Sequence, residues 1–278
     1  MLEDNIAELL LLNGNIIYAN GYADESRQRV KNVYEVIRVI NGVPLFFDDH
    51  YDRLRMSFDF LGIELNISRR DLETQLKKVV LENGLPDCNV KIALFGLPEV
   101  QNVLLYISKS YYPGIEEITN GVHTGLLRLE RPNPNLKLED MDYKAAVNKK
   151  MQESGVFEVL LVNESNKITE GSKSNIFFVK GRKVFTAPDE NVLKGITRKH
   201  VIEVCRKTGF ELVETLIDVD SLPEMEGGFI SGTSIKVLPV SSVEGQTFDS
   251  SGHPAVNSIR MHFDSLIEEH ISRRNKNS

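Results

Sequence analysis

The sequence is short of several things, and each shortage narrows what it can be. Its 2 cysteines, Cys88 and Cys205, sit in unrelated contexts and form no CxxC pair, so neither a disulfide framework nor a thiolate metal cage is written here, and two reduced, packed thiols are expected. Basic residues are in deficit. There are 33 Lys and Arg against 40 Asp and Glu, a formal charge of −7, and such a surface repels duplex nucleic acid and anionic membranes, whose phosphates need a basic footprint. No long apolar run is present: Leu9-Leu10-Leu11-Leu12 follows acidic Glu3, Asp4 and Glu8, so no signal peptide or membrane span is expected and the chain reads as cytoplasmic. The 6 histidines form no HExxH and no Cys/His ligand set, so no metal site is expected. GxGxxG and GxSxG are missing, and Gly171-Ser172-Lys173-Ser174 lacks the upstream glycine of a P-loop.

What is present is a globular composition, 41% hydrophobic and 26% charged, in a chain of 278 residues, a length that suggests about two domains. Asn13-Gly14 and Asn41-Gly42 each lie between apolar runs and predict two hairpins, with strands at 9–12, 16–18, 36–40 and 43–47. A helix is expected from Asp49 to a stop at Gly62, a second from Ser68, boxed by Asp71, to Gly84, and strands at 90–94 and 103–107. Between Tyr112 and Pro134 the amphipathic period fades and Arg131-Pro132-Asn133-Pro134 biases the backbone to extended or turn geometry. The expected division is therefore an N-terminal α+β domain, 1–118, and a C-terminal α/β domain, 119–278. The second half is expected to hold helices at 142–153 and 197–207, strands at 159–162, 175–179, 183–186 and 228–231, and a final helix after Ser258.

Three short turns rich in glycine and hydroxyls stand at element ends: Glu170-Gly171-Ser172-Lys173-Ser174-Asn175, Gly195-Ile196-Thr197 and Ser231-Gly232-Thr233-Ser234. Exposed backbone N–H groups and hydroxyls hold a phosphate without net charge, and Arg53 could fork onto its oxygens. A phosphate-bearing cofactor and ordinary capping both remain open on spacing alone.

Four segments carry a resemblance: Val33-Tyr34-Glu35-Val36-Ile37-Arg38-Val39-Ile40-Asn41-Gly42 with His50-Tyr51-Asp52-Arg53-Leu54; Ile168-Thr169-Glu170-Gly171-Ser172-Lys173-Ser174-Asn175-Ile176-Phe177; Leu193-Lys194-Gly195-Ile196-Thr197-Arg198; and Phe229-Ile230-Ser231-Gly232-Thr233-Ser234. In this order, from about residue 9 to 245, the chain resembles the class IV (fold type IV) pyridoxal-phosphate enzymes, which include branched-chain and D-amino-acid aminotransferases and aminodeoxychorismate lyase. The resemblance implies a two-domain α+β fold, pyridoxal 5′-phosphate in a cleft between the domains, and a homodimer. It implies that Glu170 faces the cofactor's pyridine nitrogen, where a carboxylate keeps that nitrogen protonated. Arg53, Ile196, Thr197 and Thr233 then match the phosphate cup. Lys137 matches the Schiff-base lysine by its distance from Glu170, with Lys144 as the competitor. Tyr34 and Arg38 match substrate-binding positions.

The departures from the family pattern bear on substrate. Leu138-Glu139-Asp140 follows Lys137 where small or polar residues are usual, and the two acids are expected to face solvent or a basic partner. Val30-Lys31-Asn32 replaces the usual Gly-Asp-Gly. Ala93-Leu94-Phe95-Gly96 lacks the arginine of the D-specific enzymes, and Val36 stands where the lyases place a threonine. The reading is a transaminase moving an amino group between an amino acid, with a branched-chain-like L-amino acid favoured, and a 2-keto acid. A lyase of the aminodeoxychorismate type and an inactive homologue are the alternatives.

Overall fold

The computed structural model describes residues 4–22 and 32–276, so Val30 and Lys31 lie outside the described residues. The chain forms two compact units. The first is Met1–Tyr111 with Leu136–Glu139 and Ile267–Ser278; the second is Tyr112–Asn135 with Asp140–Leu266. The expected domains 1–118 and 119–278 are contiguous stretches, whereas here 136–139 and 267–278 group with the first unit and 112–118 with the second.

In the first unit, β1 (Leu9–Leu12), β2 (Asn15–Tyr18), β3 (Val33–Ile40), β4 (Val43–Pro44), β5 (Cys88–Phe95) and β6 (Asn102–Ser108) form an antiparallel sheet of order β2-β1-β6-β5-β3-β4. Both Asn-Gly turns take the expected positive φ, 50 and 80 at Asn13 and Gly14, 51 and 75 at Asn41 and Gly42. The strand expected to run to residue 47 stops at Pro44, which has no N–H to extend the ladder, and Phe46 turns left-handed at φ 50 to start α1 (Phe47–Leu61). Helix α2 (Arg69–Glu82) starts at Ser68, whose hydroxyl accepts from Asp71 N. Leu54, Phe58, Leu72 and Leu76 pack on Val33, Ile37, Val39, Val90 and Ile92, so one face of the sheet is covered by α1 and α2. Alternation along β3 places Tyr34, Val36 and Arg38 on the opposite face. Cys88 and Cys205 are both buried free thiols, pushed up by burial to about 11 and about 12.

The second unit is built on α3 (Ile115–Asn120), β7 (Val122–Arg128), α4 (Met141–Ser154), β8 (Glu158–Val162), β9 (Lys167–Gly171), β10 (Asn175–Lys180), β11 (Lys183–Thr186), α5 (Ile196–Lys207), β12 (Glu211–Glu214), β13 (Ile217–Asp218), β14 (Gly227–Gly232), β15 (Lys236–Val243) and β16 (Gln246–Thr247). Its sheet runs β12-β11-β10-β14-β15-β7-β8-β9-β13, with β16 beside β15. The stretch expected to be irregular, 112–134, contains α3 and β7. Strand β7 lies inside the sheet, parallel to both β15 and β8, and neighbours on both sides rather than its own mixed pattern Val-His-Thr-Gly fix it as strand. Glu170 is likewise on a strand, β9, and not in a turn. Helix α6 (Pro254–Lys276) begins before the expected residue 258.

Candidate active site

The first unit supplies an ion cluster under its sheet. The alternation of β3 turns Glu35 inward, toward α1, with Val33 and Ile37. Arg53 and His50, three residues apart on α1, meet it: Arg53 Nε donates to Glu35 Oε1 and Nη2 to Oε2, both at 2.7 Å, and His50 Nδ1 lies 2.8 Å from Oε2. Burial alone pushes the Glu35 carboxyl up, but the Arg53 charge and the hydrogen bonds from His50 and Arg53 outweigh it and hold Glu35 ionised, well below the usual carboxylate range. His50 is pushed down by burial, against the pull of Glu35, and the charge of Lys137 adds to the depression. Arg53 therefore sits in a buried ion pair that fixes the direction of its guanidinium.

Lys137 belongs to the same unit. Its carbonyl accepts from Tyr34 N at 3.1 Å, and Glu139 N donates to Asn32 O at 3.0 Å, so residues 137–139 pair with the start of β3 as a short antiparallel bridge centred on Val33 and Leu138. Leu138 packs into the core, and the two-residue period sends Lys137 and Glu139 to the other side. Lys137 Nζ lies 4.8 Å from the centroid of the Tyr34 ring. Glu139 does find a basic partner, accepting from Lys91 Nζ at 2.7 Å, while Asp140 caps α4 by accepting from Tyr143 N. Lys91 is itself buried and 5.3 Å from the same Tyr34 ring; burial opposes its charge, but Glu139 and Asp4 more than restore it. Arg38 is on the Tyr34 face, opposite Asn89 in register, and Lys144 is on α4 in the second unit.

In the second unit Glu170, 2% exposed, accepts from Arg131 Nε at 3.0 Å, Leu193 N at 3.1 Å and Asn175 Nδ2 at 3.5 Å. Asn175 Nδ2 also donates to Leu193 O at 3.0 Å, which ties Glu170 to the turn entering α5. Gly195 caps α5 with no side chain to take the first-turn amides, so the N–H groups of Ile196 and Thr197 stand at the positive end of a 12-residue helix without an intrahelical acceptor. A Cβ at Gly195 would run into Asn175 Oδ1, so glycine lets this turn lie against the Asn175 amide. Asn175 is opposite Ser231 in the β10–β14 ladder, and Thr233 follows at the end of β14, so the three turns gather at one end of the sheet. Ser231 Oγ is buried there with no hydrogen-bond partner. An unsatisfied hydroxyl, a helix N-terminus and a buried carboxylate form a donor and acceptor set that fits a phosphate-bearing heterocycle with one basic ring nitrogen.

One expectation needs correcting. The donors of the Gly171–Ser174 turn are not available to a phosphate, because Ser172 Oγ, Lys173 N and Ser174 Oγ all donate to the buried carboxylate of Glu158. The sequence reading also missed Arg131, seen there only as part of a Pro-Asn turn. Its guanidinium bonds Glu170, the Ser172 carbonyl at 2.9 Å and Tyr143 OH at 3.1 Å, and stacks 4.7 Å over the Tyr143 ring.

A family model described as amino-transferase class IV matches residues 32–243. A D-alanine aminotransferase of Bacillus licheniformis is 30% identical over 262 residues, covering 87% of this chain and 90% of that protein. Another, of Listeria monocytogenes, is 29% identical over 259 residues, 86% of this chain and 88% of that one. Among solved structures, the branched-chain amino acid aminotransferase from Escherichia coli superposes with a TM-score of 0.82 at 22% identity, covering 94% and 95% of the two chains. The T.th. branched-chain amino acid aminotransferase with pyridoxamine 5′-phosphate gives 0.85 at 22% identity, covering 96% of each chain.

Proposed function

The chain belongs to the class IV aminotransferase family, and from that premise we propose that it is a pyridoxal 5′-phosphate-dependent transaminase acting on an amino acid and a 2-keto acid. The observation that carries the reading is Glu170, a buried carboxylate knitted through Leu193 and Asn175 to the open N-terminus of α5. When bound, pyridoxal phosphate supplies a carbonyl carbon that takes up the amino group and a ring that accepts electrons from the substrate Cα. Glu170 holds a proton on the ring nitrogen. The Ile196 and Thr197 amides and Thr233 bind the phosphate, and Arg53, aimed by Glu35, contributes its charge to that binding. Lys137 moves a proton between the substrate Cα and the carbon that receives nitrogen, which requires its ammonium to give up a proton near neutral pH. Tyr34 and Arg38 orient the substrate carboxylate.

The favoured donor is a branched-chain-like L-amino acid, because the segment Ala93-Leu94-Phe95-Gly96 at the end of β5 carries no arginine to trap a D-substrate carboxylate. The D-alanine specificity named for the sequence relatives supports a second reading. Elimination of the lyase type is disfavoured, since Val36 offers no hydroxyl to protonate a leaving fragment. The protein is read as a homodimer of the cytoplasm; among the described residues no helix is long and apolar enough to cross a membrane.

The test is a half-reaction. The protein loaded with cofactor is mixed with L-leucine, L-valine or D-alanine, and the visible absorbance is followed as it gives way to the pyridoxamine form with release of the matching 2-keto acid. Conversion with the L-substrates supports the first reading, conversion with D-alanine alone the second. A chain that takes up no cofactor overturns both.

A further inference from the structure

Glu158, at the start of β8, is a buried carboxylate that the functional reading leaves unused. It is 4% exposed, and both oxygens are engaged: Oε1 accepts from Ser172 Oγ at 3.2 Å and from Lys173 N at 2.6 Å, and Oε2 accepts from Ser174 Oγ at 2.9 Å. These are the donors that a phosphate would otherwise claim, so the turn is an anion site already filled by its own protein. The fit is close. A Cβ added to Gly171 would lie 2.8 Å from Glu158 Oε1 and nearer still to Ser174 Oγ, so the backbone at Gly171 passes directly against the carboxylate.

The turn so held lies between two residues of the candidate site. Glu170 precedes Gly171, and Asn175 follows Ser174. The Ser172 carbonyl accepts from Arg131 Nη2 and Tyr143 OH, both at 2.9 Å, and the same guanidinium reaches Glu170 through Nε. Ser172 is thus bonded to Glu158 through its hydroxyl and to Arg131 and Tyr143 through its carbonyl, and Arg131 joins this turn to Glu170.

We propose that Glu158 is a positioning residue: its carboxylate locks the Gly171–Ser174 turn so that Glu170 is presented to the ring nitrogen of the cofactor, an inference that rests on the pyridoxal-phosphate reading above. Since both of its oxygens are taken by the turn, Glu158 acts through Glu170. Replacement by alanine vacates three donors in a buried pocket of carboxylate shape, which added acetate can refill.

The experiment compares wild type, Glu158→Gln and Glu158→Ala, all judged for folding by circular dichroism. Ring-labelled [15N]pyridoxal 5′-phosphate reports protonation of its nitrogen by chemical shift, and titration reports its dissociation constant. The expected result for Glu158→Ala is a shift toward the unprotonated pyridine and affinity weaker by about tenfold, as for loss of a charge-assisted hydrogen bond, with both reversed by acetate. Glu158→Gln, which keeps one acceptor, gives the same change in smaller degree. A purely structural role would lower the melting temperature and leave the ring shift of the folded variant untouched; that outcome overturns the proposal, and Glu158→Gln decides it should the alanine variant not fold. In the cofactor-free chain, hydrogen exchange at the Lys173 amide should quicken by about tenfold in Glu158→Gln. Unchanged exchange overturns the clamp itself, whereas a wild-type chain that leaves the labelled cofactor free in solution overturns the functional reading instead.

Discussion

Glu35 and Arg53 face each other as a two-pronged ion pair, Nε to Oε1 and Nη2 to Oε2 at 2.7 Å, with side chains only 2% and 8% exposed. The pair exists because β3 alternates: a residue one place earlier or later would have put its carboxylate on the Tyr34 face, away from α1. Removing both charges from water is expensive, and their attraction repays it only with geometry as good as this and with further hydrogen bonds such as that from His50. The pair thus fixes where the Arg53 guanidinium points more than it adds to stability.

Glu35→Gln should accordingly lower the unfolding free energy by about 3–5 kcal/mol, the usual consequence of leaving one buried charge without its counter-ion. Urea denaturation of the cofactor-free protein measures it. The double replacement Glu35→Gln with Arg53→Met should recover most of that loss while weakening phosphate binding, and equal stability of wild type and Glu35→Gln would show that the pair contributes nothing.

The same cluster gives a pH dependence. Burial holds the folded-state pKa of His50 below its usual 6.5, so below that value the unfolded chain takes up a proton that the folded chain resists. Stability from this group is complete above pH 6.5 and is lost as pH falls toward the depressed value. Glu35 acts in the same direction lower down, its contribution present above pH 4.5 and lost beneath it. Glu158 runs the other way, because burial raises its pKa: the stability that it contributes is present below pH 4.5 and lost as pH rises above it. Lowering the pH from 6.5 to about 5 should destabilise the wild type relative to His50→Gln, read as the change in the difference between their melting temperatures. Parallel profiles would remove His50 as the titrating group.

Glu170→Gln should slow the chemical step far more than it weakens cofactor binding, by about 3 kcal/mol in activation free energy, because a neutral amide cannot keep the ring nitrogen protonated. Arg131→Met should change the rate in the same direction by a smaller factor, since Glu170 keeps its contacts with Leu193 N and Asn175. Single-turnover rates with saturating amino acid give both numbers. A Gln variant with wild-type rate would take Glu170 out of the site.

How far the sequence carried can be read from particular residues. The Asn-Gly hairpins, the Ser68 cap and the α5 start at Gly195 were legible because each is a local requirement on φ or on a helix end. Strand β7 was not, since Val122-His123-Thr124-Gly125 becomes a strand only through β15 and β8 on either side. Glu158 and Arg131 were missed for the same reason: Glu158 meets its partners 14 to 16 residues away and Arg131 meets Glu170 39 residues away, and no spacing rule encodes either distance.

Lys137, and not Lys144, should carry the covalent bond to the cofactor. Residues 137–139 are pinned to the start of β3 by Tyr34 N and Asn32 O, with Leu138 anchored in the core, so the Lys137 side chain leaves the backbone in a fixed direction toward the Tyr34 ring. Lys144 N instead donates to Asp140 O in the first turn of α4, and its Cα belongs to a helix that begins only after this segment. Of the acids following Lys137, Glu139 accepts from Lys91 Nζ and Asn32 Nδ2, and Asp140 caps α4 by accepting from Tyr143 N. Borohydride treatment of the loaded protein should therefore leave the phosphopyridoxyl group on the peptide containing Lys137, and Lys137→Ala should lose transamination by a factor of about 10²–10⁴ or more while Lys144→Ala retains it. A label found on Lys144 or Lys173 would show that the register through residues 130–145 has been assigned to the wrong lysine.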